Sequence, residues 1–135
     1  MRVMVDTNVL LSSLVFSSTN ATGVILSACS GGNVLLLSTF CIDEACAVIA
    51  RKWPDRIRAL EDMLLGLLFE TVVTPLNPRP GLFEIRDSCD YPALYSAIVG
   101  AADLFVTGDK DFTGVHVDGL SILTLSECMN VFGRK

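Results

Sequence analysis

Val3-Met4-Val5-Asp6-Thr7-Asn8-Val9-Leu10 is the stretch on which the reading of the whole chain turns. Its apolar start is uninterrupted, then gives way to a carboxylate, a hydroxyl and an amide. An unbroken apolar run reads as a strand buried on both faces, as in a parallel sheet, whose carboxyl end opens into a loop. In open α/β sheets that end is where ligands bind. Ala102-Asp103-Leu104-Phe105-Val106-Thr107-Gly108-Asp109-Lys110-Asp111 repeats the design, with a strand at Leu104–Val106 stopping at a turn that carries carboxylates. Two strands delivering acid to one edge imply one shared acidic site.

Between these stretches the apolar pattern alternates between strand and helix. Val9–Phe16 begins a short helix, and Asn20 or Thr22 is placed to cap the next, which stops at Gly31-Gly32. Val34–Leu37 reads as a strand, and Ser38 or Thr39 caps a helix carrying Ile42, Cys46, Ile49 and Trp53 on one face. Pro54 ends or bends it into a helix over Asp55–Phe69, followed by a brief strand at Val72-Val73. Beyond a proline-rich loop, Asp90 starts a helix with Pro92 in its first turn and Leu94, Ala97, Ile98 and Ala101 on one face. A strand at Leu120–Leu123 and a helix from Ser126 close the pattern. Strands alternating with helices across short loops predict a three-layer α/β/α sandwich around a short, mostly parallel sheet.

One domain over 1–135 is the expectation from length, and 51% hydrophobic residues against 19% charged indicate dense packing. The apolar content also hints at a buried oligomer interface, taken as a homodimer. No apolar run approaches the ~20 residues that cross a bilayer, and the N-terminus passes straight into a strand. The expectation is a cytoplasmic chain with no membrane span or signal peptide. Five cysteines without a C-x-x-C pair, and one histidine, make no zinc set and read as reduced, mostly buried thiols. A net charge of −5 argues against gripping nucleic acid by overall field, though not against a local basic rim.

Asp6, Glu44, Asp90 and Asp109 fall at element ends where they can converge, with Asp111 a possible fifth. Each has a plainer explanation. Asp90 is placed as an N-cap, Glu44 and Asp43 favour a helix N-terminus, and Asp109 beside Gly108 suits a turn. Asp6 is harder to explain away, because a carboxylate closing a buried strand needs a partner. Thr7 and Asn8 would cap the next helix or hydrogen-bond Asp6. Clustered carboxylates raise one another's pKa, a cost that Mg²⁺ or Mn²⁺ removes. Such a site suits phosphodiester hydrolysis by an activated water, with no Ser or Cys nucleophile. His116 reads as a loop residue.

At these residues the chain resembles PIN domains, the metal-dependent nucleases that include VapC-type toxins of toxin–antitoxin pairs. Met4-Val5-Asp6-Thr7-Asn8-Val9-Leu10 is similar to the family's opening motif. Asp90-x-x-x-Leu94-x-x-Ala97-x-x-x-x-Ala102-Asp103-x-x-Val106-Thr107-Gly108-Asp109-Lys110-Asp111 is similar to its second half. The resemblance implies an endoribonuclease with a cognate antitoxin as possible partner. It assigns Asp6, Asp90 and Asp109 to the metal, Glu44 to the metal through water or to the attacking water, and Thr7 or Asn8 to support. Asp111 matches an acid that varies across the family. The chain departs from the pattern at Asp87-Ser88-Cys89-Asp90, where the family often has Asp-Pro-x-Asp, so Asp87 is a rival third acid. Arg51, Lys52, Arg79, Arg86 and Lys110 are candidate RNA phosphate contacts, Lys110 and Arg86 foremost. Two alternatives stay open. One is phosphoryl transfer of the haloacid-dehalogenase kind, which expects an Asp where Asn8 stands. The other is a non-catalytic RNA- or protein-binding module.

Overall fold

The computed structural model describes residues 1–132. Five strands, β1 (Arg2–Val5), β2 (Val34–Ser38), β3 (Phe69–Val72), β4 (Leu104–Val106) and β5 (Ser121–Leu123), form one sheet in the order β3-β2-β1-β4-β5. Every strand pair is parallel. Six helices surround it: α1 (Thr7–Leu14), α2 (Thr19–Ala28), α3 (Thr39–Lys52), α4 (Ile57–Gly66), α5 (Tyr91–Val99) and α6 (Leu125–Phe132).

The two-residue period of the strands sorts the core into two layers. Val3 and Val5 share a face with Leu35, Leu37, Leu104 and Val106, packed on Val9, Leu10, Ala21, Val24, Ile25 and Cys128 from α1, α2 and α6. Met4, Leu36 and Phe105 point the other way, onto Ala93, Leu94 and Ala97 of α5 and onto Phe112. Because both faces are covered at the centre of the sheet, Val3–Val5, Val34–Leu37 and Leu104–Val106 are apolar at every position rather than alternating, the pattern that marked them in the sequence. A smaller cluster of Ala45, Ile49 and Leu60 joins α3 to α4, with Leu11, Leu14 and Trp53 at its margin.

Several local expectations shift. The helix expected over Asp55–Phe69 is a short 3-10 turn at Pro54–Arg56 and then α4, which ends at Gly66. Phe69 already belongs to β3, so the brief strand lies at Phe69–Val72 rather than at Val72-Val73. Ser18, not Asn20 or Thr22, caps α2 by accepting from the Ala21 amide. Ser38 caps α3, accepting from Cys41 N–H at 3.0 Å. Glu44 therefore sits in the second turn of α3, beyond the reach of the N-terminal dipole that offered it a plain explanation.

Strand order reverses at β1. From it the chain moves outward through β2 to β3, then crosses back to β4 on β1's other side. The loops leaving β1 and β4 thus part from each other and leave a crevice at the carboxyl edge. Asp6 and the turn after β4 border it. No single helix among the described residues is long and apolar enough to cross a membrane.

Candidate metal centre

Asp6 follows the last residue of β1 in extended backbone and is only 6% exposed. Its N–H continues the sheet by donating to Val106 O at 2.9 Å. Its carboxylate caps α1, with Oδ1 accepting from Thr7 N–H at 2.8 Å. Of the two roles open to Thr7 and Asn8, capping α1 or hydrogen-bonding Asp6, the cap falls to Asp6 itself, and Thr7 bonds Asp6 through its backbone N–H. The Asn8 side chain instead accepts from Gly108 N–H at 3.1 Å, tying α1 to the turn after β4. This leaves no second acid where haloacid-dehalogenase chemistry expects one. Thr7 Oγ1 is buried with no nitrogen or oxygen partner.

Thr107 is a site residue that the sequence reading passed over. Its hydroxyl donates to Asp6 Oδ2 at 2.9 Å and accepts from Asp109 N–H at 3.0 Å, so one buried side chain sets both acids. The signal was present: Thr107 is the first polar residue after β4, as Asp6 is after β1. Asp109 in turn caps the 3-10 turn Lys110–Phe112, its Oδ1 accepting from Asp111 N–H at 2.9 Å.

Asp90 reaches the crevice from the start of α5 and overturns the capping explanation. Its backbone is already helical, and its side chain makes no cap hydrogen bond. Oδ2 is buried with no hydrogen-bond partner among the described residues. Asp87, one 3-10 turn earlier, accepts from Cys89 N–H at 2.9 Å. Asp87, Asp90 and Asp111 each offer an oxygen within 4.8 Å of the others, close enough to share a cation. The rivalry between Asp87 and Asp90 thus becomes adjacency.

Electrostatics join the group. Burial lifts the Asp6 carboxyl to about 6 against the hydrogen bonds from Thr107 and Thr7, and the charges of Glu44 and Asp109 add to the lift. Asp90 is lifted to about 7, by burial first and then by Asp109, Asp87, Asp6 and Asp111. Acids from four segments therefore act on Asp6 and Asp90 across the crevice, with Glu44 on its exposed rim. Lys110 and Arg86 are exposed nearby in sequence and form no ion pair among the described residues. His116 lies apart, on the exposed β4–β5 connection, 2.9 Å from Asp118.

The donors are all carboxylate oxygens, and one buried oxygen is unsatisfied. That set fits a hard divalent cation, which would neutralise the repulsion and fill the orphaned valence. The PIN domain family model matches residues 2–111, from the first residue of β1 to Asp111, and so spans every one of these acids. The chain belongs to the PIN domain family. The family is one of nucleases, which generally use a divalent metal. No protein of curated function matches this member in sequence. Its backbone is similar to a chain in the crystal structure of VapBC2 from Rickettsia felis bound to a DNA fragment from their promoter. The TM-score is 0.70 at 15% identity, over 92% of this chain and 98% of that one, a likeness of fold.

Proposed function

We propose that this PIN domain is a Mg²⁺- or Mn²⁺-dependent endoribonuclease of the cytoplasm, acting as the toxin of a toxin–antitoxin pair. The observation that carries the reading is the Asp90 carboxylate, whose Oδ2 is buried and unsatisfied and which faces other acids with no cationic side chain among the described residues to answer them. A protein does not keep such a cluster for stability, since each charge raises the cost of the next.

Asp90 would hold the cation together with Asp6 and Asp109, which lie outside the group it forms with Asp87 and Asp111 and are set by the Thr107 hydroxyl. When bound, the cation supplies the charge that makes a water nucleophilic at neutral pH and balances the charge growing on the phosphoryl oxygens. Glu44, exposed on the rim, would bind the cation through water or position the attacking water. Asp111 and Asp87 extend the acidic wall, and Thr7 and Asn8 support the α1 end. Lys110 and Arg86 would take backbone phosphates on either side of the scissile bond, offsetting an overall negative field that repels RNA. The antitoxin partner is inferred from the fold shared with VapBC2, and a homodimer from the high apolar content.

Cleavage of a single-stranded RNA panel tests the reading. EDTA should stop it and Mg²⁺ or Mn²⁺ restore it, while His116→Ala and single Cys→Ser changes leave the rate within about threefold. A loss of tenfold or more at His116 with the fold intact would reassign the chemistry to a general base. Mn²⁺ binding without cleavage of any RNA would favour the non-catalytic module.

A further inference from the structure

Glu44 and Asp90 reach the crevice from different helices; Glu44 is exposed, and Asp90 makes no cap hydrogen bond and leaves Oδ2 unsatisfied among the described residues. What holds α3 against the start of α5 lies on residues outside the acidic group. Thr74, just past β3 at the carboxyl edge, accepts from Phe40 N–H at 3.1 Å through its hydroxyl, and its own N–H donates to Thr39 Oγ1 at 2.9 Å. The Phe40 amide is one of the unpaired donors in the first turn of α3, so Thr74 completes from a distance the cap that Ser38 begins.

The same hydroxyl lies 2.8 Å from Ser96 Oγ, in the middle of α5 and fully buried. Ser96 has one hydroxyl proton, and it donates that proton to Pro92 O at 2.7 Å. The direction of the remaining bond follows: Thr74 O–H must donate to Ser96 Oγ. One polarised chain therefore runs from Phe40 N–H through Thr74 and Ser96 to Pro92 O. It links the first turn of α3 to the first turn of α5, two residues from Asp90. Each bond polarises the next in a chain of this kind, and a break leaves a partly buried amide unsatisfied.

We propose that Thr74 is a positioning residue that sets helix α3, carrying Glu44, against the turn carrying Asp90. The geometric part stands without any metal; its consequence for cation binding rests on the function proposed above. A positional error of about 1 Å costs on the order of a hundredfold in rate at a site that works by placement. Loss of the hydroxyl should therefore cost function well beyond its effect on the fold.

Cys46 on α3 and Cys89 beside Asp90 are both exposed and take spin labels, while Cys41 and Cys128 are buried. In a full-length Cys29→Ser background, the metal-free Cys46–Cys89 distance distribution is measured for wild type, Thr74→Val, Thr74→Ser and Ser96→Ala. Mn²⁺ affinity is then measured on the unlabelled proteins. The expected result is a broadened distribution and about tenfold weaker Mn²⁺ binding in Thr74→Val, both restored by Thr74→Ser. Ser96→Ala keeps the Phe40 bond and cuts only the link to α5, so it should broaden the distribution even if Thr74→Val fails to fold. A wild-type distribution in Thr74→Val, or in Ser96→Ala where the first does not fold, overturns the proposal. So does a broadened distribution with unchanged Mn²⁺ affinity, which leaves the hydroxyl a merely structural role. Should wild type itself bind no Mn²⁺, the metal reading fails, and the distances alone still decide the role of Thr74.

Discussion

At the amino end of β1, Arg2 forks onto Glu70 through Nη1 and Nη2 at 3.0 and 2.9 Å. It also donates to Gly100 O through Nε and Nη2, and its amide donates to Asp103 at 2.8 Å. At the carboxyl end of the same strand, Asp6 is buried, and the charges that act on its carboxyl are the acids Glu44 and Asp109. The shifts run in opposite directions. Its hydrogen bond with Arg2 holds Glu70 below the usual carboxylate range, whereas burial lifts Asp6 and Asp90 above it. The Arg2 end of the strand pairs its charges, whereas the Asp6 end carries raised carboxyls. Fold stability and function are thus separated along a four-residue strand.

The sharpest way to break the comparison is at Asp90. Since its side chain caps nothing, Asp90→Asn should leave stability within roughly 1 kcal/mol, Asn being as good at a helix start as Asp. Cleavage should fall by a hundredfold or more, as expected when a charged metal ligand is lost. Asp87→Asn should cost far less. Full activity in Asp90→Asn with loss in Asp87→Asn would transfer the third acid to Asp87.

A second effect concerns pH. Asp6 and Asp90 bind a proton more tightly folded than unfolded, so their contribution to stability is complete below about pH 4 and is lost as pH rises through 6 to 7. The displacement of Asp6 from 3.8 to about 6 corresponds to roughly 3 kcal/mol. Glu70 has the opposite sign: its contribution is present above its ordinary 4.5 and is lost as pH falls below that. Metal-free protein should therefore be more stable in urea at pH 5 than at pH 8, and Mn²⁺ should remove or invert that slope. A flat metal-free profile between those values would mean that neither burial nor the neighbouring acids raise these two carboxyls.

How much of this was legible beforehand depends on the range of the interaction. The parallel sheet was readable because Val3–Val5, Val34–Leu37 and Leu104–Val106 are apolar at every position, which only burial on both faces explains. The end of α4 was not, because Leu67, Leu68 and Phe69 prolong the helical apolar spacing past Gly66, the one residue that marked the stop. Asp6, Asp90 and Asp109 stood out as acids at the ends of apolar runs. Asp90 was also offered as a cap because Pro92 follows it, and only the preceding 3-10 turn shows that the chain is already helical there. Thr107 and Thr74 act through partners distant in sequence, Asp6 and Phe40, and no local pattern announces such bonds.

The central claim is that the carboxyl end of β1 is strained by unanswered charge and the amino end is not. Urea melts of wild type, Asp6→Asn and Glu70→Gln at about pH 8, with EDTA and with Mn²⁺, test it most directly. In EDTA, Asp6→Asn should match or exceed wild type by about 0.5–2 kcal/mol, the range typical of relieving a functional site. Glu70→Gln should lose some stability under both conditions alike. Mn²⁺ should stabilise wild type and Glu70→Gln and leave Asp6→Asn behind, because only a folded state that binds the ion gains from it. An Asp6→Asn protein less stable than wild type in EDTA would show that the charged carboxylate's hydrogen bonds with Thr7 and Thr107 outweigh its burial and repulsion, and would contradict the account.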